Sequence, residues 1–257
     1  DVYKRQMLMY EIKYDFLFCL LTYTLSFAAL VLFCILTVKC LIDIFKKREI
    51  KNKIIKFFLI FVCVTGMILS LPFWFAGLSF SVAKTNEEIE SYSKLAVKTA
   101  ILPSVKSYMY YELGNVYQVF FEDGKKAIEN YEKSKEPYTC VNLCTLYIYK
   151  RDYDKALKNC SDAKLYQLTA INYLLQNDYK QALNSIDKKL QNSKNANCTD
   201  YAVRGFIYRK AGQSVLSDKD FDKALKMCPK SEKIKNIYSN ENYFDELYTK
   251  KRKEYKL

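Results

Sequence analysis

Two long stretches without a single charged residue limit what this chain can fold into. Phe16 to Val38 is uncharged over 23 residues, roughly 35 Å of helix against a hydrocarbon core of ~30 Å. Phe57 to Ala83 is uncharged over 27 residues, with Pro72, Phe73, Trp74 and Phe75 late in it, where an interfacial aromatic belt falls. Runs of this length predict two membrane-crossing helices rather than two buried core helices. A cleaved signal peptide fits the first run less well, because Glu11 and Asp15 precede it instead of a basic cluster.

The flanking charges predict an orientation. Lys39, Lys46, Lys47, Arg48, Lys51, Lys53 and Lys56 lie between the runs, whereas Lys13 alone precedes the first run after Met7. Lys and Arg stay on the cytoplasmic side. The expectation is an integral protein of a bacterial cytoplasmic membrane, with both termini and everything after the second run outside the cytoplasm. The Lys46-Lys47-Arg48 cluster sets that topology and also suits anionic headgroups of the bilayer. The opening DVYKRQ resembles translated adapter read-through, with Met7 or Met9 as the start.

Composition narrows the function. The chain has no His, which removes His-based acid–base and nucleophilic catalysis and the common His metal sites. Gly and Pro number only 6 and 4, which favours helices over turn-rich β architectures. The abundant Tyr and Lys look like a coding bias. No phosphate loop, nucleophile elbow or paired-carboxylate motif occurs, so no enzyme activity, cofactor, metal or small-molecule substrate is expected. The net charge is +13, and Lys250, Lys251, Arg252, Lys253 and Lys256 form a basic tail. No aromatic-plus-basic motif accompanies it, so it is read as a solvated helix end rather than a nucleic-acid site.

From Ser81 onward the apolar periodicity becomes helical. Thr85-x-x-Glu88 reads as a capping box, followed by Ile89, Tyr92, Leu95 and Ala96 on one face. Four units then recur. They are Tyr110-x-x-Leu113-Gly114-x-x-Tyr117 with Ala127; Cys140-x-x-Leu143-Cys144-x-x-Tyr147 with Ala156; Tyr166-x-x-Thr169-Ala170-x-x-Tyr173 with Ala182; and Tyr201-x-x-Arg204-Gly205-x-x-Tyr208 with Ser217, Phe221, Ala224 and Pro229. A small residue in each first helix faces a small residue in the second, so the helices can approach closely.

This pattern resembles the tetratricopeptide repeat, W-x-x-L-G-x-x-Y followed by Ala, Phe, Ala and Pro. Tyr110 replaces the family Trp, the two middle units lack the Gly, and the units recur after 30, 26 and 35 residues against 34 in the family. The resemblance implies an all-α fold: two transmembrane helices, then an α-solenoid of about four repeat-like helix pairs. The expected layout is read-through in 1–6, a hairpin in 7–84 (spans 16–38 and 57–80, basic loop 39–56) and a juxtamembrane helix in 85–102. Repeats fill 103–231, and capping helices with the basic tail fill 232–257.

The resemblance also implies a non-enzymatic scaffold whose concave groove, lined by first helices, binds a protein or peptide. Mapped on the Tyr motif, that groove shows Tyr111, Asn115, Thr145, Ile148, Ile171, Leu174, Phe206, Arg209 and Lys210. Only Asn115 and the Arg209-Lys210 pair hint at the family's carboxylate clamp. A mostly apolar groove suits an amphipathic helix or an extended apolar peptide, or else the chain's own closing helix fills it. An alternative makes the hairpin the working part, within a transport or secretion complex; neither run carries the ionisable group such a path shows.

Five cysteines, Cys140, Cys144, Cys160, Cys198 and Cys228, follow the second run. Cys140 and Cys144, four apart, make a weak metal signal. In an oxidising compartment, the hairpin ends oppose Cys198 to Cys228 and Cys140 to Cys160, leaving Cys144 free and buried.

Overall fold

The computed structural model describes residues 39, 50–81, 83–162, 164–192 and 196–257. Among them the fold is all-α: twelve helices and no strand. The chain divides into two compact units, Asp1–Val116 and Tyr117–Leu257.

In the first unit, α1 (Ile50–Ser81) packs on α2 (Asn86–Thr99). The Ser93 hydroxyl donates to the Ser79 hydroxyl at 3.0 Å, both buried. Thr85 caps α2, its hydroxyl accepting from the Glu88 N–H at 3.2 Å. Ile89, Ala96 and Val97 form the buried stripe of α2.

The membrane hairpin is corrected here. The first expected span, 16–38, and the 1–6 segment lie outside the described residues. The second, 57–80, falls inside α1, and among the described residues no helix is long and apolar enough to cross a membrane. The expectation rested on the absence of charge, which says nothing of what covers a helix. Helix α1 begins at Ile50, so Lys51, Lys53 and Lys56 belong to it rather than to a loop. Its uncharged run also contains Thr65, Gly66, Ser70, Pro72, Gly77 and Ser79, and part of it serves the interface with α2.

Helices α3 (Pro103–Val119) and α4 (Gly124–Tyr131), α5 (Thr139–Lys150) and α6 (Tyr153–Asp162), α7 (Tyr166–Leu175) and α8 (Tyr179–Asn192), and α9 (Cys198–Lys210) and α10 (Ser214–Met227) follow the four sequence units in order. Helices α11 (Glu232–Ser239) and α12 (Tyr243–Glu254) close the chain. Neighbouring pairs pack on each other in the manner of a helical repeat: α6 on α7, α8 on α9, and the first helices α5, α7 and α9 in a row.

One turn geometry recurs in every unit. Glu122, Arg151, Asn177 and Gly212 are left-handed, with φ of 50, 65, 61 and 75°. The next residue (Asp123, Asp152, Asp178, Gln213) donates its N–H to the carbonyl of the repeat tyrosine, Tyr117, Tyr147, Tyr173 or Tyr208, at 2.9–3.0 Å. This satisfies a carbonyl orphaned at the first helix's end. The three Asp side chains then cap the second helix, accepting from Lys126, Lys155 and Gln181 N–H. The small residue comes four positions after the cap in each case. Ala127, Ala156 and Ala182 are fully buried and Ser217 is 2 % exposed.

The last pair shows why small residues are needed. A Cβ on Gly205 would lie 3.2 Å from both the Phe221 ring and the Ser217 carbonyl oxygen. Beside it, the Arg204 guanidinium takes Asp220 with two bonds, at 2.6 and 2.9 Å, and Asp187 of α8 at 2.8 Å. Those two aspartates hold Arg204 charged, its pKa pushed above the ordinary value, with Asp220 the largest cause. The result ties the third pair to the fourth.

Gly205→Val should force α9 away from α10 and cost about 2 kcal/mol. Urea unfolding would check this; a midpoint unchanged from wild type would show that the close approach is not required.

Candidate functional site

The candidate site is the face of the first helices within the second unit. Of the residues expected to line a groove, Ile148, Ile171, Leu174 and Phe206 are buried at 0, 6, 5 and 1 % exposure, and Thr145, Arg209 and Lys210 are half-buried. The Thr145 hydroxyl donates to the Val141 carbonyl within its own helix, at 3.0 Å. Tyr111 and Asn115, both half-buried, lie in the first unit.

What buries this face is the chain itself. Helix α12 packs on α5 and α7, and its Phe244 ring meets Phe206 of α9 edge-on at 4.9 Å between centroids. Tyr248 and Tyr255 lie 5.3 and 5.7 Å from the Tyr149 ring. The Gly124 N–H donates to the Tyr255 carbonyl at 2.9 Å, and a Cβ on Gly124 would strike the Leu257 side chain at 2.8 Å. Phe244, Tyr248, Lys251 and Tyr255 fall at i, i+4, i+7 and i+11, one helical stripe.

The Arg209-Lys210 pair holds the closing segment. Arg209 donates to the carbonyls of Ile237, Tyr238 and Asn240, at the C-terminal end of α11 where carbonyls lack helix partners. Its guanidinium lies over the Phe206 and Phe221 rings, 4.9 and 5.3 Å from their centroids, and burial pushes its pKa below the ordinary value. Lys210 Nζ donates to the Asn242 amide oxygen at 3.3 Å, and Arg151 donates to the Thr249 hydroxyl at 3.0 Å. The pair grips a helix end.

Neither a protein-family model nor a curated protein matches the chain. The helical-repeat architecture therefore stands on the geometry alone.

The cysteines pair inside two hairpins. Cys198 of α9 bonds Cys228 after α10, with Cα atoms 6.0 Å apart. Cys160 bonds Cys144, Cα atoms 5.1 Å apart, where the sequence reading had Cys140; Cys140 is free and half-exposed. The reason is the register of a helix hairpin, in which residues equidistant from the turn face each other. Cys144 and Cys160 each stand eight residues from Asp152, and Cys198 and Cys228 each stand fifteen from Gln213, whereas Cys140 is twelve from Asp152. Cys144 also occupies the small central position of α5. Bonded, it offers no thiolate to a metal, and among the described residues no cluster suited to a metal ion is present.

Tyr149, Arg151, Phe244, Tyr248 and Gly124 were not singled out by the sequence. The signal was the stripe from Phe244 to Tyr255, masked by the basic residues between its members.

Cys198→Ser should lower stability by about 3 kcal/mol, as should reduction of that bridge; thermal melts with and without reductant would measure it. Equal melting of oxidised and reduced protein would remove the bridge from the fold's stability. A second expectation concerns alkaline pH. Burial raises the pKa of Tyr149 and Tyr248 above its usual place near 10, and does the same for Tyr255. The folded state favours the neutral phenols, so their contribution is complete below about pH 10 and is lost as the pH rises beyond it. Stability should fall progressively as the pH rises above about 10, less steeply in Tyr248→Phe; parallel slopes would exclude Tyr248 from the effect.

Proposed function

We propose that the chain is a non-enzymatic, tetratricopeptide-like scaffold that binds a protein or peptide along the face of its first helices, in a compartment where disulfides persist. One observation carries this: the face accommodates an amphipathic helix, its own α12, with Phe244 against α9 and, against α5, Tyr248 and the Tyr255 that follows the helix. Helix-in-groove recognition reads its ligand at i, i+4 and i+7 spacing, and the closing helix presents that spacing. The repeated turn and the small-to-small contacts support kinship with the tetratricopeptide pattern. Two hairpins closed by disulfides support an oxidising compartment, since such bonds are rare where thiols are kept reduced.

A photocrosslinker placed at Thr145, on the first-helix face, and at Lys219, on α10, would test the scaffold in the producing cell. The expected outcome is a discrete adduct with another protein from Thr145 and none from Lys219. Adducts confined to the chain's own closing helix would sink the proposal.

A further inference from the structure

The frame and its occupant are fastened differently. Pairs α5–α6 and α9–α10 are each closed by a disulfide. Helix α11 is held by buried Ile234 and Ile237 and by Arg209 at its end. Helix α12 has no covalent tie, and only Phe244 and Tyr248 of its twelve residues are buried. Besides the Gly124 N–H bond to the Tyr255 carbonyl, the side-chain bonds that fasten it to the frame have neutral acceptors: Asn242, just before it, on Lys210 and Thr249 on Arg151. Asn240–Asn242 form the link between α11 and α12. Bending there would release α12 and leave α11 capped.

Two cations on the face thus hydrogen-bond an amide and a hydroxyl. A carboxylate in either place would supply the second charge and turn a bond between a cation and a neutral acceptor into an ion pair. From this we infer that α12 is an exchangeable occupant, and that the ligand of this face is an amphipathic helix with aromatic residues at i and i+4 and carboxylates at i−2 and i+5. Those positions correspond to Phe244, Tyr248, Asn242 and Thr249. The inference rests on the scaffold proposal and names the chemistry of its ligand. The helix of a second copy would carry the same neutral residues and gain nothing over the chain's own.

Two fluorescent peptides test it: residues 240–257 as they stand, and the same peptide with Asn242→Asp and Thr249→Glu. Both are titrated into the full chain carrying Phe244→Ala and Tyr248→Ala, which vacates the face. The acidic peptide is expected to bind at least tenfold tighter than the native one. It should bind the unmodified chain more weakly than the vacated one, because α12 competes. Its advantage should vanish with Arg151→Ala and Lys210→Ala, and shrink with salt. Equal affinity for the two peptides would overturn the carboxylate assignment and leave the scaffold proposal standing. Failure of either peptide to bind a vacated chain with an intact cooperative melt would overturn both. Binding seen only with concentration-dependent dimers would also overturn it, since a second copy would then be the occupant. If the double variant does not fold, hydrogen exchange on the unmodified chain decides: 243–254 should exchange faster than α9, and faster still with the acidic peptide. Exchange in α12 as slow as in α9 would overturn the inference.

Discussion

The hairpin turn governs this fold. A left-handed residue ends the first helix, and the residue after it returns its N–H to the carbonyl of the repeat tyrosine. That bond fixes where the second helix starts, hence which of its residues face inward. Four positions on, the side chain must be small, because the first helix lies directly against it. Asn177 and Gly212 suit the left-handed conformation, whereas Glu122 and Arg151 adopt it at some cost in local energy. Two ordinary residues are held there because the carbonyl and cap bonds around them are satisfied only in that geometry.

The same register explains the legible and the illegible parts of the sequence. The Tyr-x-x-small-x-x-Tyr motifs and the following Ala or Ser mark residues that the turn places, so the four helix pairs could be read despite irregular spacing. The pairing of Cys160 needed the turn's centre, which the ends of a hairpin do not define; Asp152 does, and Cys144 is equidistant from it. The second uncharged run misled because absence of charge is a property of the residue list, whereas burial depends on what packs alongside. In α1 the neighbour is α2, which reaches it at Ser79 through the Ser93 hydroxyl. The groove residues Ile148, Ile171, Leu174 and Phe206 were found from the motif. Their covering by the closing helix was one of two alternatives the sequence left open; which of its residues make the contact was not legible, since Phe244, Tyr248 and Tyr255 are spread among Lys250, Lys251, Arg252 and Lys253.

Different interfaces in the second unit are held by different means. Within pairs, close packing is locked by disulfides at α5–α6 and α9–α10. Between the third and fourth pairs, Arg204 joins Asp187 to a nearly buried Asp220. Removing the arginine would strand a buried carboxylate, so that contact is obligatory once built. On the first-helix face the fastening is aromatic contacts and exposed bonds from Arg151 and Lys210 to neutral acceptors. The strength of the ties falls from the inside of each pair outward, and the face is the weakest.

A tethered occupant is nevertheless hard to replace. With a short link, its effective concentration is of order millimolar, so a partner at micromolar concentration must bind about a thousandfold more tightly. Exchanging the two neutral acceptors for carboxylates gains at most about 1 kcal/mol each at exposed sites, roughly thirtyfold together. The remaining factor has an evident source. Position i+7 of the stripe is Lys251, half-buried and paired with Glu254 of its own helix at 2.6 Å. An apolar side chain there would bury area that the lysine does not, worth about 1.5–3 kcal/mol if fully covered. Carboxylates at the ends and an aliphatic residue in the middle together reach the thousandfold that the tether demands; either change alone falls short. The chain's own helix fits the face while lacking all three, which is the composition expected of an occupant that holds the site without keeping it.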